Sequence, residues 1–226
     1  MKTLVTVIAC LTLLGLISGC GSTYRTDAVD AGEESKYSDD VIVEAYLFDA
    51  RLHRDRKPTS VRLEFYHTDS VIAIAGRGYL GKGALRGRLT ADSLEVYFPT
   101  TDEFLLETVA TVLGSVDCSE KLPRISLLSL FNKLPDSALP THELNITADF
   151  EDERHPEYSI SADGCPWKIH LVYALQDEGW RIREFNFDDG KGNTLKGKRR
   201  TYKREAKVKA GKFHVPVKPG SNRIIL

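Results

Sequence analysis

No stretch of this sequence stays apolar for the roughly 20 residues a helix needs to cross the ~30 Å hydrocarbon core of a bilayer. The longest apolar run, residues 4–17, is too short, which excludes a helical membrane-spanning protein. Metal-ligand spacing is equally scarce. The six histidines, His53, His67, His142, His155, His170 and His214, form no H-x-x-x-H pair, and the four cysteines form no C-x-x-C, so no zinc site is expected. There is no G-x-S-x-G elbow to expose a nucleophilic serine. One G-x-G-x-x-G is present, Gly76-Arg77-Gly78-Tyr79-Leu80-Gly81, but residues 83–90 after it alternate as a strand. A pyrophosphate needs the N-terminus of a helix there, so a nucleotide is not expected. Asp188, Asp189 and Asn193 offer too few carboxylates for a calcium loop and read as a turn. No nucleophile–base pair can be named. The expectation is a protein without enzymatic activity or cofactor, and with no nucleic acid among its partners.

What is present begins at the N-terminus. Lys2 precedes the apolar run, which ends in Ile17-Ser18-Gly19-Cys20. A positive start and a 7–15-residue apolar core make a secretory signal, and the small residues before Cys20 resemble the lipobox of bacterial lipoproteins. Residues 1–19 are therefore read as a signal peptide and Cys20 as the lipid-bearing first residue of the mature chain. Cys10 would leave too short an apolar core for export. Two or more acyl chains hold a protein on a membrane stably, which makes membrane lipid a partner. Gly21 stands where an aspartate is the usual inner-membrane retention signal, so resemblance to other lipoproteins places the anchor on the periplasmic face of the outer membrane.

Residues 20–40 are polar and without apolar period, a tether. Residues 41–226 are read as one domain. The near-zero net charge hides a polarity: residues 191–226 hold 12 Lys or Arg against one acid, Glu205, and residues 20–190 hold 18 bases against 31 acids. Lys196, Lys198, Arg199, Arg200, Lys203 and Arg204 form the basic surface. It reads either as a solvated strand face or as a dock for anionic headgroups or an acidic protein. Once Cys10 leaves with the signal and Cys20 is acylated, Cys118 and Cys165 remain, and outside the cytoplasm they are expected to pair.

Period-two alternation dominates the domain. Val61, Leu63 and Phe65 alternate with polar residues, as do Leu85 and Leu89, Leu94, Val96 and Phe98, and Trp167, Ile169, Leu171, Tyr173 and Leu175. Residues 71–75 are continuously apolar, as in a strand covered on both faces. Trp180 and Ile182 have one parity and Phe185 and Phe187 the other, so a one-residue bulge near Arg183 and Glu184 is expected. Thr100 with Glu103 reads as a capping box opening a helix over residues 102–113, and Pro123 starts a second helix to Leu134. That second helix carries Leu128 and Phe131 and is apolar over a wide arc, as if pushed into an apolar concavity. The expected fold is mainly β (α+β): a curled antiparallel half-open barrel of about 10–11 strands with two helices covering or plugging its concave face.

These residues resemble the LolA/LolB family, the periplasmic lipoprotein carrier and its outer-membrane acceptor. The resemblance covers roughly residues 41–219. It rests on the segment from Asp69 to Gly81 continuing through Leu94–Phe98, on the insertion from Leu127 to Pro135, and on the return to strands ending near Phe213 and Pro216. It implies an apolar cavity for lipoprotein acyl chains, lined here by Val61, Leu63, Phe65, Leu85, Leu94, Val96, Phe98, Leu128, Phe131, Trp167, Ile169, Leu171 and Tyr173. It also implies a membrane-contact loop at Tyr79 and Leu80, since the acceptor carries a leucine just before a glycine there. The other reading of Leu80 is a side chain tucked under a neighbour. The implied partners are an acyl chain or lipoprotein ligand and a periplasmic carrier protein. The basic final strands and the Cys118/Cys165 pair depart from the family pattern. The alternative function is an interaction module docking an anionic envelope component or an acidic partner through the basic C-terminal strands.

Overall fold

A computed structural model describes residues 39–54, 57–78, 81, 83–114, 118, 129–135, 144–176 and 179–225. The expected signal peptide, Cys20 and nearly all of the tether lie outside the described residues, as do Tyr79, Leu80 and Leu128.

The chain builds one twelve-stranded sheet from two antiparallel meanders. The first comprises β1 (Asp40–Arg54), β2 (Lys57–His67), β3 (Val71–Arg77), β4 (Gly83–Thr90), β5 (Ser93–Phe98) and β6 (Glu103–Thr108). The second comprises β7 (Asn145–Asp149), β8 (Glu157–Ser161), β9 (Lys168–Gln176), β10 (Gly179–Asp188) and β11 (Thr194–Lys209). The two longest strands, β1 and β11, pair antiparallel and zip the meanders together. The edges do not meet, so the sheet is an open, curled half-barrel, as the alternation predicted; a twisted sheet this wide curls to cover its apolar face. The twelfth strand, β12 (Asn222–Arg223), which no alternation in the sequence announces, pairs parallel with β6 and covers that edge.

The register sets which side chains share a face. Tyr46, Phe65, Ile74, Gly87, Val96 and Leu105 stand opposite one another across β1 to β6. On the other half, Phe185 faces Leu171, which faces Tyr158. The register shift between Ile182 and Glu184 is the expected bulge, and it returns Trp180, Ile182, Phe185 and Phe187 to one face. Small residues make room for rings: a Cβ on Gly197 would collide with the Phe185 ring that lies over it.

The continuous apolar run of β3 is covered on its second face too, and the cover is the C-terminal segment. After β11 the chain makes a 3₁₀ turn, Ala210–Phe213, beside β3. The Ala210 N–H donates to the Asp39 carbonyl, Lys212 Nζ lies 5.2 Å from the centre of the Tyr66 ring, and the Asn222 and Ile224 N–H groups donate to Asp102 and Phe104. Ala73 and Ala75 are buried as a result.

The first half of the first expected helix is a strand. Asp102 takes a positive φ of 55° and Glu103 begins β6 rather than closing a capping box. The open edge of β5 accepts residues 103–108 as a neighbour, and those sheet hydrogen bonds outweigh the helical spacing of Phe104, Leu105, Val109 and Val112. A short helix, α1 (Val109–Gly114), follows. Its cap is Thr108, whose Oγ1 accepts the Thr111 N–H at 3.0 Å. Of the second expected helix, residues 129–134 are described: Ser129–Phe131 make one 3₁₀ turn and residues 132–134 leave the helical path; its earlier residues lie outside the described set.

Candidate functional site: a covered apolar concavity

The alternating apolar residues converge on the concave face. Of the residues expected to line a cavity, Val61, Leu63, Leu85, Val96, Phe98, Trp167, Leu171 and Tyr173 are buried in one cluster, and Phe65, Leu94, Phe131 and Ile169 pack against it partly buried. Among the described residues they pack together as one core cluster. Trp167 and Tyr173 have no exposed surface at all.

What covers this face includes residues 129–135. Leu130 is buried, and its carbonyl accepts the Tyr173 hydroxyl at 2.9 Å. The Phe131 ring sits among three sheet rings, 5.4 Å from Tyr46, 5.2 Å from Phe65 and 6.0 Å from His67. Within the segment, the Lys133 N–H closes the turn on the Ser129 carbonyl. The segment therefore meets the sheet through apolar side chains and a tyrosine hydroxyl, not through shared strand pairing. Contacts of that kind can be exchanged for another apolar occupant without breaking the sheet.

One end of the concave face is polar, which the sequence reading missed. Pairing of β10 with β11 runs only from Asp188/Thr194 to Glu184/Lys198. Beyond that the strands part, and side chains bridge the gap. Arg199 Nη1 donates to the Ile182 carbonyl. Arg181 donates from Nε and Nη2 to Glu44 Oε1 at 2.9 and 2.6 Å. The Tyr202 hydroxyl donates to the same oxygen, and the Tyr46 hydroxyl donates to Oε2 at 2.8 Å. Buried His67 places Nδ1 3.7 Å from Oε2. Burial pushes the Glu44 carboxyl up, but His67, Tyr46 and Arg181 outweigh it and hold the carboxyl at about 2. A pocket of about 320 Å³ opens here, with Glu44, His67 and Arg181 on one wall and Asn132 of the covering segment on another.

The expected basic surface does not form one patch. Lys196, Lys198, Arg200, Lys203 and Arg204 are exposed, but Arg199 turns inward with its guanidinium 5.4 Å from the Tyr202 ring centre. Arg199 stands opposite buried Phe48 and has the parity of Gly197, over which the Phe185 ring lies, so alternation along β11 turns it to the concave side. Lys196 and Lys198 instead join Arg51, Arg62 and Arg77 from β1 to β3 in a groove of about 830 Å³. No sequence signal marked those three arginines, since only the pairing of β1 with β11 brings them there.

Cys118 and Cys165 are disulfide-bonded with Cα atoms 5.7 Å apart, tying the segment after α1 to the approach of β9. The turn read at residues 188–193 is present. Asp189 is buried, Oδ1 accepts the Lys191 and Asn193 N–H groups and Oδ2 accepts the Asn193 amide, which commits its oxygens to the turn. The G-x-G-x-x-G stretch joins β3 to an antiparallel β4.

No family model and no curated protein matches the chain. Solved structures similar to it include an uncharacterized conserved protein from Thermus thermophilus, 12% identical with a TM-score of 0.42, over 84% of this chain and 93% of that one. Another is a domain described as outer membrane lipoprotein-sorting from Vibrio parahaemolyticus, 6% identical with a TM-score of 0.36, over 76% of this chain and 89% of that one. A third is a LolA superfamily protein from Nitrosomonas europaea, 9% identical with a TM-score of 0.30, over 74% of this chain and 86% of that one. LolA-superfamily and lipoprotein-sorting structures are thus among those this chain is similar to, at low sequence identity and low TM-score.

Proposed function

We propose that this protein is a non-enzymatic, lipid-anchored envelope protein that takes an acyl chain, free or borne by another lipoprotein, onto the concave face of its sheet. Cys20 would carry the anchor at the periplasmic face of the outer membrane. The role would be that of an acceptor, receiving its ligand from a periplasmic carrier. The observation that carries the reading is the seating of residues 129–135: an apolar sheet face covered by a segment held through Leu130, Phe131 and the Tyr173 hydroxyl. The ligand takes the place of that segment, with its polar head at the Glu44–Arg181 end.

The magnitudes suit transfer. Burying a chain of about 14–16 carbons at ~0.8 kcal/mol per CH₂ gains roughly 11–13 kcal/mol gross, and uncovering Leu130, Phe131 and Leu134, which packs against the same cluster, at about 2 kcal/mol each costs roughly 6. The net is small enough for the ligand to leave again.

Titration of the purified protein with a fluorescent fatty acid tests the reading. Saturable binding displaced by unlabelled palmitate is expected. A second titration uses Phe131→Cys with Phe65→Cys, oxidised to lock the segment to β2. Locked protein should lose binding and regain it on mild reduction. Binding that survives the lock, or no binding by the unlocked protein, contradicts the proposal.

A further inference from the structure

The groove on the opposite face of the sheet is built from two registered rows. In the first, His170 stands opposite Asn186, Asn186 opposite Lys196, Lys196 opposite Arg51 and Arg51 opposite Ser60. In the second, Glu184 stands opposite Lys198, Lys198 opposite Asp49, Asp49 opposite Arg62 and Arg62 opposite Arg77. Directly opposed residues share a face, with Cβ atoms roughly 4.5–5.5 Å apart.

The two rows are electrostatically different. The second is internally neutralised: Lys198 pairs with Glu184 at 2.9 Å, Arg62 with Asp49 at 3.5 Å, and Arg77 reaches Glu64 at 3.0 Å. The first contains no acid. Arg51 and Lys196 are cross-strand neighbours of like charge, and neither has an ion-pair partner among the described residues. Like charges set directly opposite destabilise a sheet, and neither member of this pair is relieved by an ion pair of its own. The Asn186 amide lines the same groove with Oδ1 buried and without a partner; a half-turn of that amide would offer its NH₂ group to an anion. Ser60 adds a hydroxyl.

We infer that this groove is a docking surface for the phosphate-bearing headgroups of an anionic lipid bilayer. Five cations line the groove, three of them balanced by Glu184, Asp49 and Glu64, and the excess of Arg51 and Lys196 sets the sign of the occupant. Three of the five are arginines, whose planar fork suits phosphate. Breadth sets the kind of occupant. The first row crosses five strands spaced ~4.8 Å apart, about 20 Å of surface, and the groove holds about 830 Å³, far more than one inorganic phosphate fills. Gly78 and Gly81 also line it. The inference is independent of the concave-face reading, because these residues face away from the apolar core.

The test is co-sedimentation of the full-length protein with vesicles of phosphatidylcholine alone, or with 30% phosphatidylglycerol. The readout is the increment in binding that the anionic lipid adds, so attachment through the N-terminal apolar segment cancels. Arg51→Ser with Lys196→Ser is compared with Lys203→Ser with Lys207→Ser, which removes the same charge from β11 outside the groove. At about 1 kcal/mol per basic residue near an anionic surface, the groove variant should lose the increment by about 30-fold, and the control should keep most of it. Removing the opposed like charges should leave thermal stability unchanged or raised; Arg51→Gln and Lys196→Gln, each made singly, provide readouts that do not rest on one fold. Equal loss in both double variants overturns the site. Groove-dependent binding of pyrophosphate without a phosphatidylglycerol increment assigns the groove to a free phosphate compound and overturns the lipid surface. Release from vesicles by polyglutamate, with no response to pyrophosphate, assigns it to an acidic polypeptide and overturns it equally.

Discussion

Phe131→Ala separates a displaceable cover from an ordinary core contact, because the two predict opposite effects on ligand affinity. The ring is half-buried and packs against Tyr46, Phe65 and His67. Truncating a fully buried phenylalanine costs 3–5 kcal/mol, so a half-buried one is worth about 2 kcal/mol. If the segment leaves the sheet when lipid binds, those contacts exist only in the covered state. Removing them shifts the population toward the open, binding-competent form. Apparent affinity for a fluorescent fatty acid should then rise by up to about 30-fold, the factor equivalent to about 2 kcal/mol, while the melting temperature falls. Both are read on one preparation, by titration and by thermal unfolding. A variant that melts earlier yet binds no more tightly refutes the reasoning, since its Phe131 contacts would then be shared by the bound and free states.

The remaining predictions probe the hydrogen bonds and the crosslink. Tyr173→Phe removes the hydrogen bond to the Leu130 carbonyl, at 2.9 Å, and should raise fatty-acid affinity about fivefold for about 1 kcal/mol lost from the cover, read by the same titration. Glu44 is held at about 2 from an ordinary 4.5, so its contribution is complete above 4.5 and is lost as pH falls toward 2. Glu44→Gln should therefore cost about 3 kcal/mol in urea unfolding at pH 7, a gap that closes as both proteins are titrated to pH 2. Reducing the Cys118–Cys165 bond, which closes a loop of 47 residues, should lower unfolding free energy by about 4 kcal/mol in the chain-entropy account. A titration of the oxidised protein that finds Cys118 and Cys165 as free thiols contradicts the pairing.

Much of the sheet was legible because period-two alternation is a local signal. The bulge at Arg183 was readable for the same reason, since a parity change in one strand leaves a single repair. The doubly covered β3 was readable as a pattern, but its cover was not. Residues 210–225 reach β6 through backbone hydrogen bonds and lie beside β3, and neither approach has a sequence code. Residues 102–113 misled because Phe104, Leu105, Val109 and Val112 fit a helical face, while the open edge of β5 that captured half of them is a tertiary feature. The same holds at the two sites. Arg51 lies opposite Lys196, and Glu44 meets Arg181, only because β1 pairs with a strand from the far end of the domain. Arg199 reads as surface until its place opposite buried Phe48 is known.

The central claim is that the concave face holds a lipid in place of residues 129–135. Native mass spectrometry of the protein extracted from its own membranes in mild detergent tests it most directly. A bound acyl-bearing species is expected at one per protein beyond the mass of any covalent anchor, and it should be lost when positions 131 and 65 are locked by an engineered disulfide. A protein that leaves the membrane carrying no lipid, or carrying it equally when locked, contradicts the account.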